Sequence, residues 1–585
     1  MNTKIKKALS LGVLAFAGLF ALYSCADKWE DHYETVQGET YQGTLFDYLE
    51  SQSEQLSDFA EILKAVGYDY NLSSDQMFTV WAPVNGSFDK EALLTMIENG
   101  DKERVIERFV QNHVALYSIS LSPNAQDVTL QNSKVIKLST AAEAKFGDCE
   151  IVKSNVACKN GVFNIIAAEN IYVPTIYEIM EDDFKEYLLA NPDLNPKAVV
   201  SMMSFLDAYN ADSLDESKSV FLGLDMSGNR VYIDSVMIRN NTILKMLDAL
   251  VYEEDSTYWT IVPTVEAYQQ RYEEAKKFLV YNPSVNAVSP IMADSLQNRY
   301  ANLFAMRDLF FNINANEYYT DSLKSTDYSL RSWKEHVYRG DPFGSEGILA
   351  NAEVVECSNG NIYKVNEYPF SIYDQFFKEI PVSLNNYLVD NTPGNTKNCT
   401  MDPVPTGRAI HMDETGKVWN LDYLHLIPST NLVQPQVTFK ITGTLSGTYD
   451  LKFVTLSPRF KVQGTMDEEE IAANDKLYKF RVNLFQRNEK GEMPAKATTL
   501  YVPGTKTRDF ESHPLTELAT PYDTIDICPI TLDHCYYGRD EAGIMVQLVT
   551  NVSSSLLKNG YSREMLLHKI LLVPHAEDEE EETGE

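Results

Sequence analysis

The sequence predicts a multidomain α+β protein in which two tandem segments share one α+β plan and an all-β sandwich or jelly roll follows. Three observations predict this. Four landmarks of the first third recur in the same order further along the chain. Helical periodicity gives way to alternating strands from about residue 385. With 585 residues, 44% of them hydrophobic, the chain can bury several cores, which sets a prior of roughly two to four domains.

The chain opens with Lys4, Lys6 and Lys7, then an apolar run from Ala8 to Leu22 that is short for a membrane span but right for a secretory leader. The run closes on Leu22-Tyr23-Ser24-Cys25, which resembles a bacterial lipoprotein box. That resemblance implies cleavage after residue 24 and acylation of Cys25, with two or three acyl chains anchoring the protein stably in a membrane. Residues 25–40 then read as a polar tether. Its acidic residues directly behind the cysteine resemble the export signal of surface lipoproteins in Bacteroides-type bacteria.

From Leu45 to Gly67 the spacing of Phe59, Ile62, Leu63 and Val66 predicts a helix with one apolar face, ended by the glycine. Phe78 to Phe88 reads as a strand and turn, Phe-Thr-Val-Trp-Ala-Pro-Val-Asn-Gly-Ser-Phe. Val105, Phe109 and His113 fall four apart on a second expected helix, Arg104 to Val114. His113 on that apolar face reads as a hydrogen-bonded core histidine rather than a ligand or catalyst. Cys158-Lys-Asn-Gly161 then reads as a turn feeding a buried strand, Val162 to Ile166.

The order repeats. Ile243, Leu247 and Leu250 mark a helix face, and Tyr258-Trp-Thr-Ile-Val-Pro263 stands for Phe78 to Pro83. An aromatic follows each proline by five residues, Phe88 and Tyr268. Arg307 to Asn312 matches Arg108 to His113, and Cys357-Ser-Asn-Gly360 repeats Cys158-Lys-Asn-Gly161. These landmarks resemble the fasciclin-like domain, with its aromatic-Thr-Val-x-Ala-Pro-x-Asn segment, its helix-borne histidine and its Asn-Gly strand. The resemblance implies one such domain at 41–182 and a divergent one at 196–382, where Val265 replaces the asparagine, Asn312 replaces the histidine and Tyr318 to Gly347 looks inserted. It also implies adhesion or binding, which is a property of the family and not of the fold's physics.

In the last third, residues 385–576, alternation at Val437/Phe439/Ile441, Tyr449/Leu451/Phe453, Phe480/Val482/Leu484 and Ile544/Val546/Leu548 predicts antiparallel strands that must pack on a second sheet. Met565 to Pro574 reads as a last buried strand. The layout is similar to carbohydrate-binding jelly rolls. Sugar binding needs aromatic platforms flanked by carboxylates or amides, and Trp419 with Asp422 and Tyr423, or Tyr536 and Tyr537 with Asp540, are the candidates. Aromatics that fill a core are more common than aromatics that stack on a ligand.

Acidic residues number 84 against 50 basic ones, a net charge of -34 with no basic stripe, which disfavours nucleic acid as a partner. The block Glu577-Asp578-Glu579-Glu580-Glu581-Glu582, within the tail 577–585, reads as an unstructured charged end. Cys149/Cys158 and Cys528/Cys535 are near enough in sequence to pair, with buried free thiols as the alternative. No Gly-x-Ser-x-Gly, Gly-x-x-x-x-Gly-Lys, His-Glu-x-x-His or Cys-x-x-Cys motif occurs, and His534-Cys535 after Cys528 fits no common zinc spacing. No cofactor, metal or catalytic residue is therefore expected. The expected function is a surface-exposed outer-membrane lipoprotein that binds a surface polymer or another outer-membrane protein, for example as an accessory subunit of a TonB-dependent nutrient importer. The competing class is a polymer-degrading enzyme with a cryptic hydrolase site in the sandwich.

Overall fold

The computed structural model describes residues 39–575 other than 215, 217–218, 225–227, 235–236, 285–289, 316–321, 327–336, 385–386, 388–395, 403–408, 413–417, 457–474, 515–517, 519 and 521. The leader, Cys25, the tether up to residue 38 and the acidic tail lie outside the described residues. The chain divides into two compact units, one of residues 1–190, 206–258 and 356–361, the other of 191–205, 259–355 and 362–585. No helix among the described residues is long and apolar enough to cross a membrane.

In the first unit, helix Leu45–Ser51 starts at a capping box. The Thr44 hydroxyl accepts the Asp47 N–H and the Asp47 carboxylate accepts the Thr44 N–H. Where the spacing predicts one helix to Gly67, the chain makes two, broken at Gln52, the second being Ser53–Val66. Gly67, at φ +74°, ends it as expected, and its N–H and that of Tyr68 return to the Lys64 and Leu63 carbonyls. Phe59, Ile62, Leu63 and Val66 are all buried.

Strands β1 (Phe78–Pro83), β2 (Val114–Leu116), β3 (Gln126–Thr129), β4 (Val135–Leu138), β5 (Lys145–Phe146), β6 (Cys149–Cys158) and β7 (Gly161–Ile166) form a sheet in the order β2-β1-β7-β6-β5-β4-β3. β1 and β7 run parallel, with Phe78 opposite Gly161 and Pro83 opposite Ile166, and every residue of both is buried. Parallel strands are stable when both faces are covered, and both are. Phe78, Val80, Ala82, Phe163 and Ile165 pack with the two helices on one face. Trp81 and Ile166 pack with Ala115, Leu130 and Phe146 on the other, Trp81 stacked on Phe146 at 4.5 Å.

One expectation is corrected here, and the open question of a Cys149–Cys158 disulfide is answered. The helix expected over Arg104 to Val114 is instead a single α-turn (Lys102–Val105), a π-turn (Ile106–Val110) and a 3₁₀ turn (Gln111–His113) that runs into β2. The widened turn lets a buried chain enter the sheet directly, where a regular helix would need a connecting loop. Cys149 and Cys158 are the two ends of β6, which at about 3.3 Å per residue sets them on the order of 30 Å apart, out of disulfide reach. All six described cysteines are free thiols.

A four-stranded sheet runs in the order Phe310–Asn312, Tyr258–Pro263, Gly360–Val365, Glu353–Cys357, the same order as β2-β1-β7-β6. Within the stretch expected to be an insertion, Ser322–Lys324 pairs with Val337–Arg339. The sandwich follows. One sheet runs Cys399–Asp402, Leu424–Pro428, Met565–Pro574, Gly447–Leu456, Tyr522–Leu532, with Ile380–Pro381 against Met565–Pro574. The other runs Gln436–Ile441, Ile544–Thr550, Leu477–Gln486, Thr498–Thr499, with Phe510–Glu511 and Tyr561–Ser562 against Leu477–Gln486. All twelve alternating apolar residues read from the sequence are buried, and Phe453 of one sheet meets Phe480 of the other at 5.7 Å. The chain is thus a multidomain α+β protein with an all-β C-terminal region.

Candidate functional site

The Asn-Gly turn of the first unit is a structural corner. The Asn160 side-chain oxygen accepts the N–H of Leu45, where the first helix begins, and its amide donates to the Leu72 and Ser74 carbonyls. The Phe78 N–H donates to the Asn160 carbonyl. Gly161 sits at φ +149°, and a Cβ there would lie 1.8 Å from the Phe78 carbonyl oxygen. The second Asn-Gly repeats this bond for bond. Asn359 accepts the N–H of Ile176, where helix Ile176–Ala190 begins, and donates to the Val251 and Glu253 carbonyls. The Tyr258 N–H donates to its carbonyl, and Gly360, at φ +135°, would set a Cβ 1.8 Å from the Tyr258 oxygen.

His113 is fully buried. Its Nδ1 lies 2.7 Å from the Phe109 carbonyl and its Nε2 lies 2.9 Å from the Asn170 nitrogen. Since the Asn170 N–H can only donate, the ring is the neutral tautomer with the proton on Nδ1. Burial pushes its pKa down to about 4, against which the Phe109 hydrogen bond acts upward. Both nitrogens are spent on backbone, so the ring has no capacity left for a ligand. Asn312 is not its counterpart downstream. The pairing of Phe78 with Leu116 and Val80 with Val114, continued one step, sets Trp81 opposite His113. Tyr258 stands for Phe78, so Ile261 stands for Trp81, and the Ile261 N–H donates to Leu309. The buried Leu309 occupies the histidine's position.

A charged cluster lies in the first unit. Arg104 and Arg108 both pair with Asp182 on helix Ile176–Ala190, Arg108 at 2.7 Å. Lys134, its side chain 9% exposed, pairs with Glu254, donates to the Ser358 hydroxyl at 2.7 Å and lies 3.8 Å from Glu178. Its ammonium also sits 4.8 Å from the centre of the Tyr172 ring. These charges neutralise one another and hold the helix, which makes the cluster a structural clamp.

In the sandwich, the expected aromatic platforms are placed otherwise. Tyr536 and Tyr537 are buried, 4% and 5% exposed. Tyr537 packs edge-on to Tyr300 and Phe304 of helix Pro290–Met306, and its carbonyl accepts the Tyr281 hydroxyl. The Arg487 guanidinium lies over Tyr536. Tyr423 is buried as well, while Asp422 and Asp540 are exposed. Trp419 lies on strand Val418–Leu421, paired with Ala409–Met412, and its side chain lies outside the described residues. The buried tyrosines offer packing area rather than an open stacking face.

The sequence reading missed a different group at the edge of the sandwich. A cleft of about 360 Å³ is lined by His513, Leu518, Thr520, Tyr522, Asp523 and Thr524. Strand Tyr522–Leu532 is the edge of its sheet and alternates, with Asp523, Ile525 and Ile527 inward. Asp523 is 4% exposed, and its two oxygens accept the His513 backbone N–H at 2.6 Å and the His513 Nδ1 at 3.0 Å. The imidazole is 58% exposed. An acidic residue at an inward position among isoleucines was the available signal. Its partner, ten residues upstream, belongs to no motif. Among the described residues, no group of three or more His, Cys, Asp or Glu is placed to hold a metal ion.

Comparison with known proteins identifies one segment. Residues 54–168 match the fasciclin domain family. They are a fasciclin domain. The match takes in His113, Asn160 and Gly161, so the histidine bonding and the Asn-Gly corner belong to the fasciclin fold of this chain. No curated protein matches the chain. Among solved structures, the FAS1 domain pair of the insect cell adhesion molecule fasciclin I is 14% identical, with 55% of this chain and 98% of that one covered at a TM-score of 0.17. A family 35 carbohydrate-binding module from Clostridium thermocellum is 11% identical, covering 34% and 99% at a TM-score of 0.18. A family 22 module of Clostridium thermocellum Xyn10B is 12% identical, covering 33% and 96% at 0.14. Likenesses this distant carry no argument about chemistry or partner.

Proposed function

We propose that this chain is a surface-exposed outer-membrane lipoprotein, anchored through acylated Cys25, that works as a binding or adhesion module and not as an enzyme. In its specific form it is an accessory subunit docked on a TonB-dependent nutrient importer. The observation that carries the reading is the fasciclin domain at 54–168. The polar residues best placed for chemistry there, His113 and Asn160, are consumed by the scaffold, which leaves the outer surface for recognition. We read the chain from Ile176 as a divergent second fasciclin-like copy, because Asn359 and Gly360 repeat the corner of Asn160 and Gly161. The leader pattern and the acidic residues behind Cys25 support the anchor and the display.

A hydrolase in the sandwich is the second reading, favoured by the His513–Asp523 pair in an open cleft. Among the described residues His513 bonds only Asp523, and no hydroxyl or thiol nucleophile is seated on its ring. Crosslinking on intact cells, followed by purification of the chain, tests the proposal. It expects an outer-membrane transporter among the crosslinked partners, lost in Cys25→Ala. Recovery of no outer-membrane partner would overturn it.

A further inference from the structure

We propose that the cleft at the edge strand Tyr522–Leu532 binds a neutral saccharide, with His513 as the hydrogen-bonding residue and Tyr522 as the apolar wall. This inference deepens the binding-module reading and rests on it.

A carboxylate on the inward side of a strand is costly unless its lone pairs are taken up. Asp523 has both oxygens engaged by one residue, the backbone N–H and ring Nδ1 of His513. That arrangement fixes the imidazole plane and puts the proton on Nδ1, leaving Nε2 as the ring nitrogen available to a ligand. The side chain is 58% exposed, so a ligand can approach the ring. A structural ion pair would not need an open cleft beside it. Here the oriented ring lines one of about 360 Å³, within the usual size of small-molecule sites, on the order of 300–1,000 Å³.

The lining selects the ligand class. Thr520 and Thr524 bring hydroxyl groups, and Leu518 and the half-buried Tyr522 bring apolar surface, the Tyr522 ring backed by His568 at 6.2 Å. A hydroxyl both donates and accepts, so it can satisfy Nε2 whether that nitrogen is neutral or protonated. The C–H face of a sugar ring is apolar and packs on an aromatic wall. An anionic ligand would approach the Asp523 carboxylate in a protein of net charge -34, which works against it. A neutral polyhydroxylated ring fits all of these terms together.

Isothermal titration of the full chain in detergent tests this with neutral oligosaccharides of β-linked glucose, xylose, mannose and galactose, and an oligogalacturonate as the charged control. The expected result is binding of at least one neutral oligosaccharide, weakened about tenfold or more by His513→Ala and by Tyr522→Ala, and held within about threefold by His513→Gln, which keeps a polar group at the position. His575→Ala, at an exposed histidine paired with Asp450, is expected to change nothing. Circular dichroism of each variant checks the fold. Binding that survives both His513→Ala and Tyr522→Ala would move the saccharide site elsewhere and overturn this inference while leaving the binding-module reading standing. No heat from any neutral oligosaccharide at roughly 10 mM would overturn it too, the wider reading then being decided by the crosslinking result. Shortened oligosaccharide after incubation would overturn both.

Discussion

Asn160 and Asn359 perform one task at two places in the chain: each ties the first N–H of a helix to two carbonyls ahead of a strand, through a single carboxamide. The glycine behind each must approach the strand so closely that a Cβ would overlap its carbonyl oxygen at 1.8 Å. Alanine is therefore excluded twice, by the positive φ and by the backbone it would strike. Gly161→Ala is expected to cost on the order of 3 kcal/mol or more, since strain and overpacking add. Gly360→Ala should cost a similar amount. Urea unfolding followed by tryptophan fluorescence checks both, and a loss under about 1 kcal/mol at either would contradict the corner's role.

His113 makes the fasciclin domain sensitive to acid. Its folded pKa, about 4, lies below the unfolded value of 6.5, so the unfolded chain takes up the proton first as pH falls. The stability is fully present above pH 6.5, declines as pH drops from there to about 4, and is not lost further below. The full change is on the order of 3 kcal/mol. His113→Leu, which installs the residue found at the matching position 309, is expected to lower stability at neutral pH by orphaning the Asn170 N–H, yet to flatten this part of the pH profile. Unfolding midpoints of both proteins between pH 4 and 7 give the comparison, and parallel profiles would contradict the assignment.

Lys134 neutralises carboxylates in a nearly closed site. Lys134→Met should cost about 3 kcal/mol, chiefly by leaving the Glu254 carboxylate without its cation. Adding Glu254→Gln is expected to recover part of that loss. A double-mutant cycle measures it, and strictly additive losses would show that the two side chains do not interact.

Much of the fold was legible because it is written in periodicity. The inward set of the sandwich, from Val437 to Leu548, needs only strand alternation, and Asn-Gly at 160 and 359 declares a turn before any coordinates exist. What local spacing could not show was the course of the backbone between anchors. Val105, Phe109 and His113 keep a helical spacing, but the π-turn between them alters the pitch. Tyr536 and Tyr537 look like a platform because nothing in their neighbourhood names their cover, Arg487 over Tyr536 and Tyr300 and Phe304 against Tyr537, all distant in sequence. The His513–Asp523 pair escaped notice for a related reason: its meaning lies in an inward carboxylate, and inwardness depends on strand register.

Cysteine chemistry offers an independent check on the first sheet. With Cys149 and Cys158 at opposite ends of β6, the chain unfolded without reductant is expected to give all six described cysteines as free thiols in a mass-labelling assay. Cys535, whose thiol burial pushes up to about 12, should be the slowest of them to react in the folded state. A labelling deficit of two thiols mapping to 149 and 158 would contradict the strand assignment.

On the proposed function, this fasciclin-containing chain is held at the cell exterior by its lipid and recognises its partner there. The most direct measurement is proteolysis of intact cells expressing the full chain or Cys25→Ala, with a periplasmic protein as the integrity control. Protease is expected to remove the wild-type chain while the control protein survives, and Cys25→Ala is expected to leave the membrane fraction altogether. A wild-type chain protected until the outer membrane is breached, or a Cys25→Ala chain still in the membrane fraction, would contradict it.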